Sequence, residues 1–164
     1  MGFRTSEYAR IDNDTYVTPQ WVWDCLYRVE PWAKEALDVC PANCQYDFLN
    51  DDCAPPAYYA CLSELGVATN PPFKISEAIV RRALELTKPK QGRVAMLLPH
   101  AWDTAKGRVD LFEALNFKAK YVLTKRIRWE NLEQKKNGPS SNHAWYVWDW
   151  DWFEQPIMGW ISHG

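Results

Sequence analysis

Glycine is scarce in this chain: there are seven in 164 residues, and none between Gly2 and Gly66. A glycine-rich turn, the usual device for bringing backbone close to a phosphate or nucleotide, is therefore excluded from residues 3–65. No apolar run approaches the roughly 20 residues that cross a membrane. The five cysteines (Cys25, Cys40, Cys44, Cys53, Cys61) contain no C-x-x-C pair, the spacing typical of structural zinc. Their odd number and the lack of an N-terminal signal-peptide pattern argue against a disulfide framework. The expectation is a reduced, cytoplasmic chain with buried thiols and no metal. Basic excess is also missing. A net charge of −2 excludes coating of nucleic acid by charge alone and leaves only a local patch for phosphates.

What is present is the composition of one globular domain, 1–164, with a polar N-terminal arm over 1–15. Ten Trp and eight Tyr are read first as a Trp-rich core and second as flat surfaces for a planar ligand. Thr18 and Pro19 are placed to cap and begin a helix over Gln20 to Arg28. Ala36 to Cys40 reads as a short buried strand whose polar member is Asp38. Residues 41–61 read as irregular, and Leu65 to Thr69 as a second buried strand. Ser76 is expected to cap a helix to about Thr87. Arg93 to Pro99 has the continuous apolar character of a strand covered on both faces. A helix is expected from Asp103 or Thr104 to about Leu115, then strands at Tyr121–Leu123 and Arg126–Trp129. From His143 to Trp150 the residues alternate, Ala144, Tyr146 and Trp148 on one face, Trp145 and Val147 on the other. Ile157 to Ile161 is weakly extended. This order implies an α/β domain, a mostly parallel sheet with helices on both faces.

Between a strand and a helix, at the carboxyl edge where ligands bind in such sheets, stands Asn70-Pro71-Pro72-Phe73. An exocyclic aromatic amine has its lone pair delocalised into the ring, and acceptors on its hydrogens make the nitrogen a better nucleophile. The Asn70 amide oxygen and the Pro71 carbonyl supply two such acceptors. The successive prolines fix the backbone and remove its donors, and Phe73 offers a face on which a base stacks, worth about 1–3 kcal/mol. The bland reading is a turn after a strand. A target within a duplex has to be flipped out.

These four residues resemble the Asp/Asn-Pro-Pro-Tyr/Phe motif of the S-adenosylmethionine-dependent amino-methyltransferases, in particular the small phage and bacterial adenine DNA methyltransferases. In that family the motif follows the fourth strand and holds the target amine. Tyr16-Val17-Thr18-Pro19 resembles the upstream cofactor-binding Tyr-x-Thr-Pro segment, and Ala36 to Ala42 resembles the first-strand motif, with Asp38 and Cys40 at the start of the cofactor loop. Tyr46-Asp47-Phe48-Leu49 resembles the segment that contacts the cofactor adenine; Val94 to Pro99 and His143 to Trp148 resemble the fifth and terminal strands. The resemblance spans roughly residues 16–161 and implies a Rossmann-like class I methyltransferase fold of reduced size. It further implies S-adenosyl-L-methionine as cofactor, held by Tyr16, Thr18, Pro19, Asp38, Cys40, Asp47 and Phe48. Asn70, Pro71, Pro72 and Phe73 are the implied catalytic set, and DNA, rather than RNA, the implied partner.

Two departures accompany the resemblance. The family's glycine-rich turn after the first strand is replaced by Val39-Cys40-Pro41-Ala42. Asp38 and Asn70 stand only 32 positions apart, where one βαβ unit takes about 30 residues. One or two βα units are thus expected to be missing, with Asp47, Asp51 or Asp52 as candidates for the lost ribose-binding acid. Two functions follow: a minimal active methyltransferase, or a degenerate relative that has lost the cofactor and acts as a binding module. Further candidates are His100, as proton acceptor or solvent-facing side chain, and Trp102, as a wall of the base pocket. The basic stretch Lys118, Lys120, Lys125, Arg126, Arg128, Lys135 and Lys136, with loop 131–142, is a candidate phosphate-facing surface or a solvated face. The Trp148 to Trp152 run is expected to be sheet packing or a homodimer face.

Overall fold

The computed structural model describes residues 16–41, 47–50, 54, 56–129 and 141–163. The 1–15 arm, Cys44, Tyr46, Asp51, Asp52, Cys53, Lys135, Lys136 and positions 131–140 of the polar loop lie outside the described residues. The elements in chain order are α1 (Gln20–Val29), α2 (Pro56–Leu65), β1 (Val67–Thr69), α3 (Ser76–Thr87), β2 (Arg93–Pro99), α4 (Val109–Glu113), β3 (Phe117–Leu123), β4 (His143–Asp149) and β5 (Ile157–Ile161).

The five strands form one mixed sheet in the order β1-β2-β4-β3-β5. β1 pairs with β2 and β3 with β5 in parallel, while β4 runs antiparallel to both β2 and β3. Four strands therefore point one way, with their carboxyl ends along one edge, and the reversed β4 begins at that edge. His143 is its first residue and lies opposite Pro99, the last of β2.

The alternation read from the sequence holds on β4. Ala144, Tyr146 and Trp148 enter a core shared with α3, whereas Trp145 and Val147 enter a core shared with α1. Helices accordingly cover both faces, and β2 is buried from Val94 to Leu98. Tryptophan pins the layers together: the Trp145 indole donates to the Val22 carbonyl of α1 (3.1 Å) and Trp148 to the Leu111 carbonyl of α4 (2.9 Å). Large apolar rings with a satisfied N–H suit such positions.

Several expectations are corrected. Ala36–Cys40 makes only one bridge, Leu37 to Val67, parallel to β1. Asp38 folds back to accept from the Cys40 amide (3.1 Å), which competes with a ladder, and Pro41 has no donor to continue one. Residues 56–65 form α2 rather than irregular chain, because proline at a first helical position starts a helix as readily as it stops one. That helix ends at Gly66, φ +86°, where a Cβ would stand 2.6 Å from the Arg93 carbonyl oxygen. Ser76 is the first residue of α3 rather than its cap, and its hydroxyl donates to the Phe73 carbonyl (2.9 Å). The helix expected from Asp103 to Leu115 is two 3-10 turns and the five-residue α4. Arg126–Trp129 forms no strand. Trp148 is fully buried and Trp150 donates to the Leu84 carbonyl (3.1 Å), so these two are internal. Among the described residues the exposed aromatics are Phe153 and Trp160, near and on the edge strand β5.

A buried carboxylate ties the end of α1 to β3. Glu30 is 1% exposed and accepts from the Trp32 indole (2.6 Å), Lys118 Nζ (2.8 Å) and the Tyr121 hydroxyl (3.1 Å). Burial, followed by the Glu30 charge, raises the Tyr121 pKa above its ordinary value. Removing one member of a buried ion pair leaves the other uncompensated, at a cost of about 3 kcal/mol or more. Glu30→Ala is expected to destabilise the fold by that order in urea denaturation, and Glu30→Gln by less. A loss below about 1 kcal/mol for the alanine variant would show that Lys118 finds water instead.

Candidate functional site

The parallel strands deliver three chain segments to the same edge: Asp38 after the Leu37 bridge, Asn70 after β1 and His100 after β2. Beside the first two lies a cleft of about 190 Å³, lined by Tyr16, Val17, Thr18, Trp23, Asp38, Cys40, Pro41 and Asn70. Its residues come from the entry to α1, the turn after the bridge and the end of β1.

On the Asp38 side the polar groups are tied to one another. The Thr69 hydroxyl donates to Asp38 Oδ1 (2.5 Å), and the Cys40 amide is shared between Asp38 Oδ1 and Thr69 Oγ1, at 3.1 Å each. Asp38 is open to water yet surrounded by protein, as befits a side chain on a cleft wall. That desolvation raises its pKa above the ordinary carboxyl value, against the lowering effect of the two hydrogen bonds.

Asn70 is 7% exposed. Its amide nitrogen donates to the Thr18 hydroxyl (3.0 Å) across 52 positions of sequence. Thr18 thus does not cap α1: Pro19 occupies the cap position and the hydroxyl serves Asn70. The other end of the amide, Oδ1, is buried and has no hydrogen-bond partner. A buried carbonyl oxygen left unpaired costs about 1–3 kcal/mol, and such exceptions in a folded chain call for an explanation. Pro71 is buried, and Pro72 is extended at φ −57°, ψ 127°, so the motif leaves the strand without a turn of its own until Phe73.

Phe73 belongs to a ring of four aromatic side chains. Its centroid is 5.6 Å from the His143 imidazole and 6.2 Å from Tyr16. Trp129 closes the ring, stacked on Tyr16 at 5.2 Å and edge-on to His143 at 5.3 Å. His143 is 3% exposed. Neither of its nitrogens meets a partner at hydrogen-bonding geometry, the Ser141 backbone lying near enough only to oppose weakly the effect of burial. That burial pulls its pKa down to about 4, so the imidazole is neutral at pH 7.

The other anticipated residues divide. Tyr16, Thr18, Asp38, Cys40 and Asn70 are brought together at the cleft, and Pro19 lies buried beside it. Asp47 is exposed and turns its carboxylate onto the Leu49 amide (3.1 Å), while Phe48 is packed in the core with Val39 and Leu62. Neither lines the cleft. Trp102 is core too, donating to Ser76 Oγ (2.9 Å) with Arg108 above its ring; it packs in the apolar space beneath α3 and does not line the cleft. The His100 side chain is exposed; its carbonyl accepts from Lys120 and Tyr146, and its backbone amide donates to the Asn142 carbonyl (2.9 Å). The basic stretch is half internal: Lys118 pairs with Glu30 and Lys120 with Asp103 (2.6 Å). Lys125, Arg126 and Arg128 are exposed, with Arg126 donating to Asn142 Oδ1 (2.8 Å). His143 and Trp129 were not singled out from sequence. The available signal was parity: His143 shares a face with Trp145 and Val147 and begins its strand at the ligand edge.

No family model, no curated protein and no solved structure matches the chain. Among the described residues no helix is long and apolar enough to cross a membrane.

The state of His143 has a measurable consequence. Its folded pKa lies below the free value, so its contribution to stability is complete above pH 6.5 and is lost as pH falls towards 4. A shift of this size amounts to about 3 kcal/mol. Urea denaturation at pH 7, 6 and 5 is expected to show about 2 kcal/mol of that loss by pH 5, and His143→Phe is expected to flatten it. Equal slopes in the two proteins would mean that the imidazole is not buried in its neutral form.

Proposed function

We propose that the chain is a small S-adenosylmethionine-dependent methyltransferase acting on the exocyclic amine of adenine, in DNA before RNA. One observation carries the reading: Asn70 is buried at the carboxyl edge, oriented by Thr18, with its amide oxygen unpartnered, three residues before Phe73. That oxygen, with the neighbouring Pro71 carbonyl, accepts the amine hydrogens and holds the nitrogen lone pair towards the donor. Phe73 supports the plane of the base. S-adenosylmethionine supplies the electrophilic methyl group. The proton displaced from the amine leaves to water, so no general base is required, and a neutral His143 fits that economy.

Support for the fold comes from the order of the resembling segments. The first-strand segment, the strand before Asn70, β2 and β4 follow one another across the sheet as neighbours. In the Rossmann-like reading Thr18, Asp38 and Cys40 hold the donor in the cleft beside Asn70. At about 190 Å³ that cleft encloses part of a ligand whose size calls for several hundred, in keeping with the shortened stretch from Asp38 to Thr69. The exposed Lys125, Arg126 and Arg128 lead along the chain to Trp129 and the aromatic ring, and are the cations for the phosphate backbone.

A second reading, a binding module that has lost the cofactor, is favoured by one observation: the Cys40 amide, which an open loop would offer to a ligand, is used by Asp38 and Thr69. Two measurements separate the readings. Isothermal titration with S-adenosylmethionine is expected to give heat, and labelled methyl groups are expected in unmethylated DNA of mixed sequence. Asn70→Ala is expected to lower transfer roughly 10²-fold or more with an unchanged circular dichroism spectrum. Undiminished transfer by that variant would refute the assignment of Asn70. Absence of both heat and transfer in the wild type would leave the binding module.

A further inference from the structure

Tyr16 stands on both sides of the site: it lines the cleft with Thr18, Asp38 and Asn70, and its ring faces Phe73. Of the four contacts around the aromatic ring, Tyr16 to Phe73 is the widest, 6.2 Å between centroids with the planes 33° apart; the other three lie between 5.2 and 5.6 Å. A base between two rings needs about 3.5 Å on each face. The Tyr16–Phe73 seam is thus the loosest of the four contacts and the one that a planar ligand would part. Trp129 stacks on Tyr16 and His143 on Phe73. Two residues beyond Tyr16, Thr18 holds the Asn70 amide with its oxygen unpaired, and Tyr16, Thr18 and Asn70 line one cleft.

We infer that Tyr16 is a substrate-contacting residue, forming with Phe73 an aromatic seam that clasps the planar acceptor base, rather than a contact to the methyl donor. The inference rests on the proposed acceptor role of Asn70 and Phe73 and extends it to the opposite face of the base. The ligand class is a planar nitrogen heterocycle bearing an amino group. Trp129 acts through Tyr16 as a positioning residue.

Saturation-transfer NMR with adenosine as probe tests this without a donor or a recognition sequence. It is run with and without excess S-adenosylhomocysteine, which occupies the donor site. The expected result is transfer to the adenine ring protons that persists with S-adenosylhomocysteine present. Binding should weaken roughly tenfold or more in Tyr16→Ala and be kept in Tyr16→Phe, which preserves the ring and controls for folding. Suppression by S-adenosylhomocysteine, or equal binding by wild type and Tyr16→Ala, would overturn the assignment. So would a wild type that gives no transfer to adenosine. The two levels separate: DNA methylation without adenosine transfer leaves the methyltransferase reading and removes the seam, while adenosine transfer without methylation does the reverse.

Discussion

The reversed strand β4 is the constraint on which the rest of this structure depends. Among the described residues it is the only strand that bonds two antiparallel neighbours, matching β2 from Arg93 to Pro99 and β3 from Phe117 to Val122. Without it the sheet would fall into two parallel pairs, β1–β2 and β3–β5, each with an open edge and half a core. Its residues from His143 to Trp148 are all buried, and its two faces supply the large side chains of both cores. Being late in sequence and central in space, it closes long loops before its contacts form, so the fold is one of non-local pairing. The same register that joins the cores places His143 against the end of β2, and thereby behind Phe73.

Several interior polar groups are fully matched: Glu30 takes three partners, Lys120 is shared by the His100 carbonyl and Asp103, and the Trp145 and Trp148 indoles reach helix carbonyls. Away from the edge, Ser63 Oγ on α2 is buried without a partner. At the edge, Asn70 keeps one half of its amide bonded and the other half open, and His143 keeps both nitrogens unpaired. An apolar substitution at either position would relieve a desolvation cost that the fold as such gains nothing by bearing. Costs of this kind are tolerated where a ligand repays them, which is why the open Asn70 oxygen, more than the tetrapeptide that contains it, supports the acceptor reading.

How much was legible in the sequence depends on how local each cause was. α3 and β2 match their expected bounds because helical periodicity and a continuous apolar run are properties of the segment itself. The faces of β4 were legible for the same reason. The first strand was not: Leu37 has the right neighbours, but the Asp38 side chain captures the Cys40 amide and ends the ladder after one bridge. α2 was hidden behind prolines that read as a break. Thr18 looked like a cap, since a hydroxyl before Pro-x-x is usually one; its actual partner is 52 positions away, a pairing no local rule contains. Trp102 and Phe48 failed as site residues because an apolar ring near an expected ligand edge is as well suited to the core beneath it, and here the core takes it. Of the basic stretch, parity puts Lys118 and Lys120 on one face of β3, but does not show that both find carboxylate or carbonyl partners.

The proposed acceptor and donor halves of the site differ in kind for a related reason. Four contiguous residues can specify an amine pocket, because two prolines fix the backbone and the side chains at either end do the chemistry. A donor pocket is assembled from separate segments, and in this chain they are few. What replaces a glycine-rich turn is the Asp38–Thr69–Cys40 cluster, which spends the available backbone donor internally and leaves a carboxyl group in the cleft whose pKa burial holds above its ordinary value. A site with its amides occupied and a desolvated carboxylate on its wall is poor at holding an anion and good at holding a cation. The donor proposed for this chain carries positive charge on both its sulfonium and its amino group. On that reading Asp38 meets the cationic part of the donor, a different task from that of the backbone amides in a glycine loop, and the shortened segment holds that part rather than the donor's whole length.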